Sequence, residues 1–314
     1  MKNLVLLTLI VSLFTSCYKQ QDDYALIPVR SYGEWGYINH KGEYVINPQF
    51  SDTDFFYDGL AEVLSSDVKV GYIDETGKYV IAAKYKDDTA FHDGLAFVVS
   101  AGGYPTCIDA KGNMKFVLKE AEKVYAFSEG LALFAAQDGK QGFVDETGKI
   151  VINAQFDKAF SFNSGFAAVQ QNGKWGFIGK DGKMLINPQF DDANSFSKGL
   201  AAVENGNQWG YIDVKGAYVI NPQFDWAHPF SEGLAAIKQD GAWGCINQKG
   251  KFVINQLNGI SSFSEGLAAV KQGDSWGYIN KQGKYEINPQ FEDAMFFYSD
   301  IAPVKSGGKW GFIT

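Results

Sequence analysis

The segment Trp175-Gly176-Phe177-Ile178 returns in recognisable form along most of the chain, and Trp175, Trp209 and Trp243 stand 34 residues apart. The Trp-Gly slot falls at Trp35-Gly36, Val70-Gly71, Pro105-Thr106, Gln141-Gly142, Trp175-Gly176, Trp209-Gly210, Trp243-Gly244, Trp276-Gly277 and Trp310-Gly311. A unit of about 34 residues is too small to enclose a core, so successive units must cover one another's apolar faces. That requirement overrides the two domains that a length of 314 residues would suggest.

Each slot continues as aromatic-Ile-Asp/Asn, a polar turn with a Gly, and an apolar run such as Tyr44-Val45-Ile46 or Tyr218-Val219-Ile220. Two short apolar segments around a Gly-bearing gap predict a hairpin. The turn glycines Gly42, Gly77, Gly112, Gly148, Gly182, Gly216, Gly250 and Gly283 are present in all eight loops, which predicts a positive φ there. Asn-Pro-Gln-Phe follows, as at Asn187–Phe190 and Asn221–Phe224. Pro lacks a donor N–H, so this stretch is expected to leave the ladder or to lie on a sheet edge.

A polar link with a fixed Phe (Phe196, Phe230, Phe263) and Ser-Glu/Lys-Gly then leads to Leu-Ala-Ala-Val. Whether the link holds a helical turn is open at this level. In Leu-Ala-Ala-Val the second and fourth positions hardly change, whereas the third holds Glu62, Phe97, Leu133 or Ala202. Strand side chains alternate, so Ala and Val mark a tightly packed face. The same alternation puts Gly and Ile of Trp-Gly-Tyr-Ile on one face and the two aromatics on the other. Close backbone approach is expected at the Gly.

The expected fold is all-β, a tandem array of about eight three-stranded antiparallel units of some 34 residues. The first copy, Leu26–Ile38, aligns without gaps with the last, Ile301–Ile313, and only these two place Pro (Pro28, Pro303) in the Leu-Ala-Ala-Val strand. Proline suits an exposed edge. This favours an open, solenoid-like array, each repeat adding two strands at about 4.8 Å spacing. A closed, propeller-like ring is the alternative; propeller blades carry four strands in about 40 residues or more.

Ahead of the repeats, Met1-Lys2-Asn3 leads into the apolar run Leu4–Phe14 and Thr15-Ser16-Cys17. Residues 1–16 read as a lipoprotein signal peptide, because Phe14-Thr15-Ser16-Cys17 resembles a bacterial lipobox, which implies lipidation of Cys17. Residues 17–24 read as a tether and 25–314 as the repeat domain. The address is then the bacterial cell envelope, with the membrane as one partner. A formal net charge of −8 argues against nucleic acid. Cys107 and Cys245 occupy the same repeat position four repeats apart, which predicts two buried thiols rather than a disulfide.

Trp-Gly-aromatic-Ile-Asp/Asn, the turn Gly, Asn-Pro-Gln-Phe and Phe-Ser-Glu-Gly-Leu-Ala, in fixed order across residues 25–314, resemble the WG-containing repeat (KWG repeat) family. The resemblance implies an all-β repeat array and transfers no catalytic residue. The second to fourth copies depart most from its pattern.

No cofactor motif, metal-ligand spacing or catalytic constellation stands out: His40, His92 and His228 share no spacing with Cys or paired carboxylates. Carboxylates that recur with the repeat, such as Asp157, Asp191, Asp225, Glu129, Glu232 and Glu265, are expected to hydrogen-bond loops. Ligand-binding candidates are therefore residues outside the shared pattern: Trp226 with His228, and the clusters Phe55-Phe56-Tyr57 and Phe296-Phe297-Tyr298. Trp35, Gly36, Trp175, Gly176, Trp209, Gly210, Trp243, Gly244, Trp276, Gly277, Trp310 and Gly311 are assigned to structure. The functional expectation is a non-enzymatic, lipid-anchored protein whose repeat surface binds a protein or glycan. An envelope glycan-acting enzyme with its site in the irregular repeats, or a plain spacer, are the alternatives.

Overall fold

The computed structural model describes residues 26–314. The signal peptide, Cys17 and the tether lie outside the described residues. The described chain contains strands and no helix, grouped into nine antiparallel sheets, one for each Trp-Gly slot. By backbone contact it divides into two compact units, an N-terminal one of residues 26–172 with Ile178–Lys183, and a C-terminal one of Gly173–Phe177 with Met184–Thr314. The first four sheets belong wholly to the N-terminal unit and the last four to the C-terminal unit.

The sixth sheet shows the plan. Its strands run Asp192–Ala193, Leu200–Asn205, Gln208–Asp213 and Tyr218–Phe224, each paired with the next in chain order. The expected count of three strands is thus corrected to four, the extra one being the two residues after Asn-Pro-Gln-Phe and one further residue. Those two residues are too few to give a periodic signal. The first sheet lacks this short strand and the ninth lacks the long last strand, so both have three.

Pairing ends within each four-stranded group, and the next sheet starts its own ladder. The open, solenoid-like array is therefore overturned: the topology is that of the propeller-like alternative, with blade-type sheets that meet through side chains. The physical cause lies at Asn-Pro. Trp209 pairs with Phe224 and Tyr211 with Ile220, so the long strand carries extra residues as a bulge over the Asn-Pro step. The bulge keeps this strand at the sheet edge, as the missing N–H of Pro requires. Its backbone lies against the Trp-Gly strand, where a Cβ on Gly210 would fall 2.6 Å from the Ile220 carbonyl oxygen and 2.7 Å from Pro222 N. Only glycine fits there.

The expectation for the turn glycine holds. The turn Gly216 has φ +81° and also sits against Ile186 of the preceding repeat, so it answers both a conformational and a packing need. The link to Leu-Ala-Ala-Val resolves as a two-residue turn in which Lys198 and Gly199 both have positive φ and Ser197 and Leu200 exchange backbone hydrogen bonds of 2.8 and 3.1 Å. This is the type I′ hairpin geometry. Pro28 lies on an edge strand as expected, but Pro303 does not: Ala302–Ser306 is the middle strand of the ninth sheet. Pro303 is tolerated because pairing with Asp293–Ala294 stops at Val304, and its carbonyl accepts a hydrogen bond from Met295 N at 3.0 Å.

The core sits between consecutive sheets. Between the sixth and seventh, Trp209, Tyr211, Ile220, Phe224 and Ala202 pack against Ala227, Phe230, Ala235, Ile237 and Ile246. The aromatic face of one sheet thus meets the Ala/Ile face of the next, as side-chain alternation requires. Polar groups reinforce the joint: the Tyr211 hydroxyl donates to the His228 carbonyl at 2.8 Å, and Ser197 Oγ donates to the Phe230 carbonyl of the next repeat at 2.7 Å. The recurrent carboxylates serve loops. Glu129 and Glu232 each accept from a backbone N–H in the following turn, Gly165 and Gly266, at 3.0 Å. Cys107 and Cys245 are free and buried, and burial pushes each thiol up to about 12.

Candidate functional site

In six of the seven short strands that follow a Trp-Gly repeat, the first residue is Asp, Lys or Gly: Asp52, Asp87, Lys158, Asp192, Gly259 and Asp293. In the seventh sheet it is Trp226. The strand alternates, so Ala227 points into the joint and is buried while Trp226 points out and is 44% exposed. The other described tryptophans are buried or half-buried.

Trp226 sits at the head of a row of rings in the C-terminal unit. Its ring centroid lies 5.1 Å from that of buried Trp209 and 6.4 Å from His228, which in turn lies 5.7 Å from half-buried Trp243. The backbone fixes His228 from both sides, its N–H donating to Ala236 at 2.9 Å and its carbonyl accepting from Tyr211. Burial lowers the His228 pKa, so the imidazole is neutral at neutral pH. Asp225 borders the row and accepts from Gly241 N at 3.1 Å, which keeps the adjoining turn in place. Flat rings held by packing and by main-chain hydrogen bonds give a preformed apolar face with polar margins.

The other candidates separate by depth. Phe56 packs on Tyr37 at 4.8 Å and Phe297 is buried on Tyr278 at 5.0 Å, each filling the place of the ordinary link Phe. Phe55 is half-buried, Tyr57 lies tilted against His92 with ring centroids 4.8 Å apart, Phe296 is 38% exposed and Tyr298 is half-buried. Of the structural tryptophans, Trp35, Trp175 and Trp209 are buried, whereas Trp243, Trp276 and Trp310 are half-buried. Among the described residues no group of three or more His, Cys, Asp or Glu is placed to hold a metal ion.

Reading Trp243 as one structural tryptophan among six missed its place in the row. The signal was there: this repeat has Asn255-Gln256-Leu257 in place of Asn-Pro-Gln-Phe. With one residue fewer the bulge shrinks, Trp243 pairs with Leu257, and Gln256 takes φ +63°. Leu257 thus stands opposite Trp243 where Phe224 stands opposite Trp209.

Comparison with known proteins agrees with this repeat-by-repeat construction. The WG-containing repeat description matches residues 35–65, 71–104, 142–175, 175–209, 209–241, 243–275 and 276–310. The chain belongs to the WG-containing repeat family. The interval between the second and third matched segments contains the Pro105-Thr106 slot, where both Trp and Gly are replaced. No curated protein matches this WG-repeat chain. Among solved structures, a eukaryotic initiation factor superposes with a TM-score of 0.62 at 12% identity, covering 90% of this chain and 90% of that one. The computationally designed protein Ika8 superposes with a TM-score of 0.50 at 12% identity, over 84% of this chain and 95% of that one. Identities this low show a shared fold alone.

Proposed function

We propose that this WG-repeat protein is a non-catalytic binding protein of the bacterial envelope, lipid-anchored through Cys17, that takes a carbohydrate on the Trp226–His228–Trp243 row. The observation that carries the reading is the exposure of Trp226 in a position that elsewhere holds Asp, Lys or Gly, with its ring backed by Trp209. An indole held in one orientation loses little freedom on binding, and its face suits the C–H face of a pyranose. A neutral imidazole beside it offers a donor and an acceptor to sugar hydroxyls. The formal net charge of −8 favours a neutral or cationic ligand over an acidic one.

The test is a glycan array probed with the folded chain, followed by titration of the strongest binder with tryptophan emission as readout. Trp226→Ala is expected to weaken binding at least about tenfold, the loss usual for an aromatic anchor, with an unchanged melting temperature. Blank arrays with folded protein, or an affinity indifferent to Trp226→Ala, would sink the proposal. A protein partner captured in a Trp226-dependent manner would move the site to the protein-binding reading.

A further inference from the structure

The joint between the second and third sheets is built differently from its counterparts. At the joint of the sixth and seventh sheets, Ala202 lies beside Tyr211, and the Tyr211 hydroxyl reaches the carbonyl of His228, the residue after Ala227. Ala202 and Ala227 belong to one apolar cluster. The same two places hold Ala236 and Ile260 at the next joint, and Ala269 and Ala294 at the one after. At the second–third joint they hold Glu62 and Asp88. Glu62 pairs with Tyr72, and the Tyr72 hydroxyl donates to the carbonyl of Thr89, next to Asp88, at 2.8 Å. The two carboxyl groups are thus delivered by the repeat geometry to a place that these other joints fill with apolar side chains.

The charged groups that act most strongly on them are acidic. Facing them are Asp52, Asp54 and Asp87 and the hydroxyls of Tyr37, Tyr72 and Tyr85, and His92 acts on Asp54. Asp88 Oδ2 is buried with no hydrogen-bond partner among the described residues. Two ionised carboxylates at such a place are costly, and one shared proton relieves both the repulsion and the orphan oxygen.

We propose that Glu62 and Asp88 share one proton across this joint, so that it is fastened when the pair is protonated and loosened when the proton leaves. Burial, then the neighbouring Asp88, raise the Glu62 pKa well above the usual range, and burial raises Asp88 to about 7. The folded state therefore holds more protons than the unfolded one above about pH 4, so the joint's stability falls as pH rises through about 7. His92 and His228 act the other way: burial lowers their folded pKa, so their contribution grows as pH rises towards about 6.5. The comparison must therefore be between variants.

Amide hydrogen exchange of the full chain, corrected for intrinsic rates, is measured at pH 5.5 and 8.5. In the wild type, peptides covering Ala61–Leu64 and Asp87–Thr89 are expected to lose at least about tenfold in protection, one pKa unit being a factor of ten. The Glu62→Ala/Asp88→Ala double variant, which installs the alanine pair of the sixth–seventh and eighth–ninth joints, is expected to lose that pH dependence. Glu62→Gln, which supplies a permanent donor to Asp88, is expected to lose it as well. Equal protection at the two pH values in the wild type would overturn the proposal. So would the full wild-type dependence persisting in Glu62→Gln, which decides the matter even if the double variant fails to fold.

Discussion

At the scale of single residues, the glycine of Trp-Gly matters more to the fold than the tryptophan. Trp243, Trp276 and Trp310 remain half-buried without loss of the hairpin, whereas Gly210 is pressed by backbone that has nowhere to go. Gly210→Ala is expected to destabilise the C-terminal unit by about 3 kcal/mol, the upper part of the range for overpacking against rigid atoms. Gly311 occupies the same repeat position in the ninth sheet, which has no long strand, and nothing lies within 4 Å of a Cβ built there. Gly311→Ala should change stability by no more than about 0.5 kcal/mol. Chemical denaturation of both variants checks the pair, and a similar cost at the two sites would show that the bulge is not what excludes a side chain. This close approach was legible in the sequence, because alternation placed Gly on the tightly packed face. The atoms that approach it were not, since the bulge is a feature of pairing.

At the scale of the element, sheets are tied to their successors by polar contacts wherever the repeat carries the residue: the hydroxyls of Tyr37, Tyr72, Tyr211 and Tyr278, a link serine, and a loop carboxylate such as Glu129 or Glu232. Ser197, Ser231 and Ser264 each donate to the carbonyl of a link Phe in the following repeat at 2.7 Å. Ser231→Ala leaves the Phe263 carbonyl without that donor in a part-buried place, so it should cost about 1 kcal/mol. The loss should appear as faster amide exchange confined to the Ser261–Ser264 link, and exchange that rises evenly through the C-terminal unit would contradict it. Sequence reasoning gave the strands from Tyr44-Val45-Ile46, Trp-Gly and Leu-Ala-Ala-Val, because each carries a two-residue alternation. It stopped at three per unit because Trp226–Ala227 and its counterparts are two residues long, too short to show alternation. The candidate site suffered in the same way. Trp226 and His228 stood out as departures from the repeat, but their meeting with Trp209 and Trp243 depends on the unseen strand. The Glu62–Asp88 pair was hidden for a related reason, since its members are separated by a full Trp-Gly hairpin and come together only across a joint.

At the scale of the whole molecule, a chain whose sheets bury their faces mainly on their neighbours should transmit damage poorly along its length. The two described cysteines allow this to be measured, because Cys107 lies in the N-terminal unit and Cys245 in the C-terminal unit, and both are buried and unpaired. Burial pushes both thiols up to about 12, so neither reacts in the folded state at neutral pH. Each becomes a reporter of the opening of its own surroundings. Tyr72→Ala removes a fully buried ring and the hydroxyl that reaches Thr89, a loss of about 3–5 kcal/mol confined to the N-terminal unit. Pulsed thiol labelling along a urea series, read by mass spectrometry for each cysteine, should then show Cys107 labelled at markedly lower urea than in the wild type. Cys245 should keep its wild-type midpoint, because no residue of its cluster touches the altered site. If both midpoints move together by the same amount, the chain unfolds as one cooperative body, and the nearest-neighbour description inferred from the repeat does not hold.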